Sequence, residues 1–440
     1  MKQFSDKDFL LNTKTAKALF QNIAGLPIID CHSKLSPEEI AKNKTFQNIT
    51  ELWLSDPEKQ AAMRRYKVEE HYITGEAGDY EKFRKWADVV PSLIGSALYH
   101  QTHLELQRIF GIYEPLSPAT AERVWNRTSA LLCSERFGAF ELFKKFNVQL
   151  ICTPVDVADS LVWHQKIAEE GVCPAKVFPT FSAQKAFDIG SKDFSQWVSS
   201  LEEVCSREIK DYFSLQSCLV ERLLFFKSVG SKTAILRISS AIGSEPSFEH
   251  TDAIFQKARE QKSLSQTEIA EYQAHLLSFL MKKYADYNFT AELELTDGDL
   301  SKNTIVCLTQ LSKEHALPKI ILSCEQCSDY DTLAKAVGSA DSSYDLRLGV
   351  PSNLSYRKSA IHTVLTKTAE QGLLPKCTGF STCSDSFLSY PAHEYFRRIL
   401  CNYLGDLVEA GEYPNYPELL RKFATDIAYR NRKQLLEIEK

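Results

Sequence analysis

The runs Pro27-Ile28-Ile29-Asp30-Cys31-His32 and Lys319-Ile320-Ile321-Leu322-Ser323 are apolar over consecutive residues rather than at every second one. Strands buried on both faces read this way, and such strands belong to parallel sheets covered by helices. Working outward from these two, a chain-long set of eight short β-rich runs emerges: Leu26–Cys31, Val148–Cys152, Ala175–Phe181, Thr233–Ser239, Thr290–Leu295, Lys319–Ser323, Asp345–Val350 and Cys377–Thr382. Helical stretches stand between most of them, at Val157–Glu170, Phe194–Val229, Ser265–Tyr287, Asp331–Val337 and Arg357–Gln371. Eight strands alternating with helices predict an α/β fold, a (β/α)8 TIM-like barrel. A doubly wound open sheet is the alternative, but it calls for a glycine-rich turn after an early strand, and the sequence has none there.

The alternation breaks once. Between the first two runs lie residues 36–147, too long for one crossover, with helical periodicity in Pro37–Asn43, Tyr80–Val90 and Ala119–Leu132. The expected organisation is therefore a barrel built from residues 1–35 and 148–440, with an inserted helical subdomain at 36–147. Two closing helices are expected at Tyr395–Ala410 and Tyr416–Glu439, with Gly411 at the C-terminal cap of the first.

A net charge of −5 over 440 residues argues against a general nucleic-acid surface. No apolar run has the length of a membrane span, and Met1–Leu11 lacks the apolar centre of a secretory signal. The expected location is cytoplasmic, with neither membrane nor nucleic acid as a partner. Of the twelve cysteines, Cys31, Cys152, Cys218, Cys307 and Cys401 sit in apolar runs and read as core residues. Cys324-Glu325-Gln326-Cys327 is half of a zinc site without a second pair at matching spacing.

In a barrel of this kind the chemistry gathers at the C-terminal strand ends and the loops beyond them. Those positions hold His32, Ser33 and Lys34; Thr153 and Pro154; Ser182; Ser240 and Ala241; Glu294 and Asp297; Glu325 and Gln326; Ser352 and Asn353; and Cys383, Ser384 and Asp385. Residues two apart on a strand share a face, so a His-x-His at 32 and 34 would aim two imidazoles into the mouth. With a carboxylate from another strand they would hold a divalent metal. Here the second position is Lys34, which offers charge and no lone pair. His32 alone does not hold a catalytic metal, and its other reading is a hydrogen-bonded residue at a strand end.

Several stretches carry a resemblance to a known family. They are Pro27–His32, Glu51-Leu52-Trp53-Leu54, Tyr72-Ile73-Thr74-Gly75, Tyr80–Ala87, Leu98-Tyr99-His100, Thr102–Leu106, and Ser386–Tyr390 with His393–Asn402. On these the chain resembles the uronate (glucuronate/galacturonate) isomerases of the amidohydrolase superfamily, at both ends and in the insertion, with a looser middle. The resemblance implies an amidohydrolase-type barrel, a zinc-like divalent metal, a sugar-acid ligand and homo-oligomers. It also implies aldose–ketose isomerisation in hexuronate catabolism, D-glucuronate to D-fructuronate and D-galacturonate to D-tagaturonate. Carried across position by position, however, the family site is largely replaced. His32 matches the first metal histidine and Lys34 the second. The His-Tyr pair after an Asp gives way to Pro57-Glu58 after Asp56. Ser182 stands for an arginine, Ser239-Ser240-Ala241 for Ser-Asp-His, Glu294 for a histidine and Cys383 for the metal aspartate. Asp385 stands for the substrate arginine, and a carboxylate there would repel a sugar acid.

Three readings follow. One is a catalytically degenerate family member with no cofactor, keeping the barrel and its contacts and binding a small molecule or an intact isomerase. A second is a different enzyme using His32, Lys34, Cys383, Glu294 and Asp297 in the same pocket, with the cysteine as nucleophile. The third is a divergent but active uronate isomerase. His100 and His103 are expected to serve packing, and His393 to hydrogen-bond a neighbouring loop.

Overall fold

A computed structural model describes residues 4–134, 137–296, 298–314, 317–340, 344–351 and 357–438. Seven parallel strands are found among them: β1 Ile28–Asp30, β2 Val148–Asp156, β3 Lys176–Ser182, β4 Thr233–Ile238, β5 Thr290–Leu295, β6 Ile320–Cys324 and β7 Leu346–Leu348. They are hydrogen-bonded in sequence order. Helices pack outside them, so one large core joins the outward faces of the strands to the helical layer.

The eighth run, Cys377–Thr382, is extended but is not a strand, and the reason is local. Gly379 has φ +70°, outside the range a ladder needs, and its α-carbon lies against the Ile427 carbonyl, where a side chain would collide. The segment still spans the gap between β7 and β1. On one side Thr378 N–H donates to Leu348 O at 3.0 Å and Val350 N–H to Gly379 O at 3.1 Å. On the other, side chains replace the ladder: Thr382 donates its N–H (3.0 Å) and its hydroxyl (2.5 Å) to the buried Asp30 carboxylate, and Cys31 N–H donates to Ser381 Oγ. The barrel is closed by seven strands and one side-chain-tied segment.

The single helix expected at Phe194–Val229 is two, Phe194–Cys205 and Tyr212–Ser228. Ser206 stops the first at φ +48°, and Asp211 with Ser214 forms a capping box that starts the second. The helix Gln266–Asp286 begins as the sequence indicated, with Ser265 and Glu268 capping each other. At the far end of the chain, the segment after the helix Pro417–Thr425 enters the N-terminal end of the barrel. There Leu436 and Ile438 pack with Ile29, Cys31, Leu150 and Cys152.

The described residues of 36–147 form a series of helices that share a second core with the outer side of β1 and β2. Its helices Ile49–Trp53, Pro57–Arg65 and Ala97–Phe110 meet around a buried ionic group. Lys59, 1% exposed, lies 3.2 Å from Asp56 and 3.3 Å from Glu105, and the Trp53 indole N–H donates to Glu105. Burial lifts the Glu105 carboxyl to about 7, against the pull of Lys59. A carboxyl raised in the folded state stabilises below its unfolded value, and that stability is lost as pH rises through the folded value. Wild-type stability should therefore fall as pH rises from the ordinary carboxylate range toward about 7 through this group. Glu105→Gln should flatten that part of the pH profile in urea titrations; an unchanged profile would mean that Glu105 is ionised throughout.

Candidate functional site

The barrel axis collects a column of charge. β5 alternates, sending Ala291, Leu293 and Leu295 to the helical layer and Glu292 and Glu294 toward the interior. Glu294 Oε1 is 3.2 Å from His32 Nδ1, at the end of β1. His32 is also hydrogen-bonded to Cys383 from the eighth segment. Burial opposes charge on His32, but the hydrogen bonds from Cys383 and Glu294 outweigh it, and the imidazole is held well above its ordinary value. Glu294 is held below the usual carboxylate range: burial would raise it, and His32 overcomes that.

Lys34 completes the mouth. Its ammonium is drawn upward first by Cys383, to which it is also hydrogen-bonded, and then by Asp385 and Glu294. Burial raises the Asp385 carboxyl, which senses Lys34 and, from the insertion, Asp56. Cys383 is half-buried and has φ +49°, an uncommon region for a residue with a side chain. Its neighbours fix it there, since Thr382 is tied to Asp30 and Ser384 O accepts from Lys34 N–H.

Below His32, toward the N-terminal end of the barrel, Glu292 and Arg432 face each other. Glu292 Oε1 is buried without a hydrogen-bond partner among the described residues. Burial raises its carboxyl, while Arg432 and His32 draw it back. Both line, with His32, Glu294, Ser323 and Ser381, a cavity of about 20 Å³. That volume holds about one water molecule, far from the roughly 300 Å³ or more of an ordinary small-molecule pocket. A groove of about 1050 Å³ lies elsewhere, on the flank by Phe20, Arg108, Tyr113, Glu394 and Arg398. Its polar side is occupied by the Arg108–Glu394–Arg398 ion pairs, so the chemistry is better sought at the mouth.

Of the positions the sequence singled out, the fold brings together His32, Lys34, Glu294, Cys383 and Asp385. Ser182 ends β3 opposite Asp156. Ser240 turns to Gln273, its hydroxyl 3.0 Å from Oε1, and Ala241 is exposed and brings no polar group. Asp297, Ser352 and Asn353 lie outside the described residues. Glu325 pairs in a two-point contact with Arg237 of β4. Arg237, Glu292 and Arg432 are the members sequence reading missed. Glu292 had a signal, since it lies two residues before Glu294 and shares its strand face; a helical tail gives no such sign for Arg432.

His100 and His103 pack as expected. His103 is buried, accepting from Leu116 N–H at Nε2, and His100 lies 3.2 Å from the Tyr395 hydroxyl. His393 differs from expectation. Its Nε2 has no partner among the described residues, and the ring stands edge-on to Phe380, with burial holding it well below its ordinary value. All twelve cysteines are free thiols.

A metal does not fit these residues. Among the described residues, no group of three or more His, Cys, Asp or Glu side chains is placed to hold one. An imidazole held toward its charged form has no lone pair to give, and the neighbouring ammonium of Lys34 repels a cation. No helix of the described residues is long and apolar enough to cross a membrane.

Comparison with known proteins gives one consistent relationship. The glucuronate isomerase family pattern matches residues 1–436. A uronate isomerase of Caldicellulosiruptor bescii is 38% identical over 462 aligned positions, covering 99% of both chains. One from Bacillus subtilis is 35% identical, covering 100% of this chain and 99% of its own. The solved uronate isomerase of Thermotoga maritima superposes with a TM-score of 0.91 at 25% identity, covering 99% of this chain and 100% of its own. A glucuronate isomerase of Caulobacter crescentus shares the fold, with a TM-score of 0.90 at 19% identity over 100% of this chain and 98% of its own.

Proposed function

The chain belongs to the glucuronate (uronate) isomerase family, and from that premise we propose that it keeps the family scaffold without performing the metal-dependent isomerisation of hexuronates. One observation carries the reading: at the barrel mouth His32 lies 3.2 Å from Glu294 and beside Cys383, and Lys34 lies by Cys383 and Asp385, above a cavity of about 20 Å³. Such a cluster sets the Lys34 ammonium, which has no lone pair to give, where a second metal ligand would have to stand. The carboxylate of Asp385 adds repulsion for an anionic substrate. The role that remains is that of a cytoplasmic, self-associating scaffold or a partner of an intact isomerase.

The test is a metal analysis of the purified protein together with an assay on D-glucuronate and D-galacturonate, with and without added zinc. The expected result is less than about 0.1 equivalent of zinc, because one imidazole is no metal site, and no turnover above background. Full-length identity to proteins named uronate isomerase favours the opposite reading, a divergent active isomerase. Turnover accompanied by stoichiometric metal would establish that reading and overturn ours.

A further inference from the structure

A separate pocket lies outside the barrel, where the N-terminal segment crosses the helices Lys358–Glu370 and Pro391–Glu409. Its volume is about 300 Å³, the lower end of an ordinary small-molecule site. Phe4, Phe9, Leu10 and Ile399 give it apolar walls, and Ser5, Lys358 and His362 add polar groups. The fold makes little use of those polar groups. Lys358 is the first residue of its helix, Arg357 precedes it, and the first turn holds no acidic side chain. Cations at that end stand against the helix dipole, and no ion pair joins Lys358 to an acid among the described residues. No side chain caps the backbone N–H groups of that turn either, and such groups favour an anion. The Ser5 hydroxyl, on a residue 7% exposed, is buried without a hydrogen-bond partner among the described residues. His362 follows Lys358 by one helical turn, on the same face. Its Nδ1 is 3.4 Å from the Thr366 hydroxyl, which leaves Nε2 to a ligand. The other polar residues of the wall are engaged. Asn402 accepts from Asn12 N–H and donates to Asp406, while Asp6 accepts from Asp8 N–H and borders the groove that holds Arg398.

We propose that this pocket binds a small organic carboxylate with an apolar body, its charge held by Lys358, His362 and the Ser5 hydroxyl, and its body by the phenyl and aliphatic walls. Charge selects the anion: the free ammonium and the uncapped helix end both favour it. The walls select the body. A sugar acid would bury hydroxyl groups against Phe4, Phe9, Leu10 and Ile399, which offer their side-chain surface and no hydrogen bond. An inorganic anion would leave that surface uncovered. The site lies apart from the barrel mouth, and the proposal stands whether or not the mouth holds a metal.

The experiment uses the full-length protein and benzoate as the probe, with binding measured by equilibrium dialysis of the radiolabelled compound. Saturable binding at about one site per chain is expected. Lys358→Met should weaken it at least about tenfold, the loss of a charged hydrogen-bond donor. Ser5→Ala should weaken it about threefold. Lys358 is exposed, so its variant should fold as the parent does, which circular dichroism checks. Lys145→Met, a change at an exposed lysine on another helix, should leave binding as it was. As competitors, benzyl alcohol lacks the charge and D-glucuronate lacks the apolar body, and each should displace benzoate at least about tenfold less well than benzoate itself. Binding that does not saturate, or that is as tight in Lys358→Met as in the parent, would overturn the site. D-glucuronate or inorganic phosphate competing as well as benzoate would overturn the ligand class.

Discussion

Arg432→Met should destabilise the protein by about 3–5 kcal/mol at neutral pH, because it removes one partner of a buried charge arrangement and leaves the rest in place. The guanidinium lies in the barrel interior, where Nε donates to Thr378 O and Nη1 to Ser381 Oγ, both at 2.6 Å. Those acceptors belong to the one barrel segment that lacks a strand ladder. Asn431, next in the chain, donates to Pro375 O and Cys377 O, so two consecutive residues of the tail satisfy much of the eighth segment's backbone. Methionine would fill similar volume without donating, leaving the Thr378 carbonyl without its Arg432 donor, Ser381 Oγ with Cys31 N–H alone, and Glu292 without its principal counter-charge.

The pH dependence separates those losses. The Glu292 carboxyl is already raised by burial, and without Arg432 it should rise further. A raised carboxyl stabilises below its unfolded value, a contribution lost as pH climbs through the folded one. The deficit of Arg432→Met should therefore be larger at pH 8 than at pH 5, measured as the shift in urea midpoint at unchanged slope. Adding Glu292→Gln should restore part of the loss at pH 8 and little at pH 5. A single variant within about 1 kcal/mol of wild type would mean that the tail is not what closes the barrel.

What the sequence made legible divides along the same physical line. The barrel could be read because continuous apolar runs such as Ile320–Leu322 have few other uses, and seven of eight runs became strands within a residue or a few. The eighth was misread because its pattern is right and its hydrogen bonding is not. A glycine at φ +70° against Ile427, and side chains of Asp30 and Arg432 in place of a ladder, are tertiary facts that no local pattern encodes. At the site, His32, Lys34, Glu294, Cys383 and Asp385 could be named because strand ends are fixed by topology. Ser182, Ser240 and Ala241 were named on the same ground and remain apart, since a position at a strand end does not say which way a loop side chain turns. The interior charge of Arg432 came from a helix more than a hundred residues from β5, and only the fold joins them.

The double variant Lys34→His with Cys383→Asp should gain zinc affinity by more than about 100-fold over the parent. Disturbing outer-shell partners of a metal alone changes affinity 10–100-fold, and here two direct ligands would be supplied. The parent resists a metal for two reasons. The Lys34 ammonium stands beside the position and repels a cation. Cys383 and the carboxylate of Glu294 hold His32 toward its charged form, which has no lone pair free. Aspartate also suits the left-handed backbone at 383 better than cysteine does. With both changes, two imidazoles two residues apart in the loop just after β1 and a carboxylate across the mouth would supply three ligands and an open position. Metal analysis after dialysis against a competing chelator should give close to one equivalent of zinc for the variant, and chelation should then lower its melting temperature but not the parent's. Isomerisation should still be absent, because Asp385 continues to repel a sugar carboxylate. Only a further Asp385→Arg would reverse that charge and permit a two-point grip on it. If the double variant binds no more zinc than the parent, the strand ends around His32 have moved out of metal geometry, and the loss of the family's chemistry lies in the backbone as well as in its side chains.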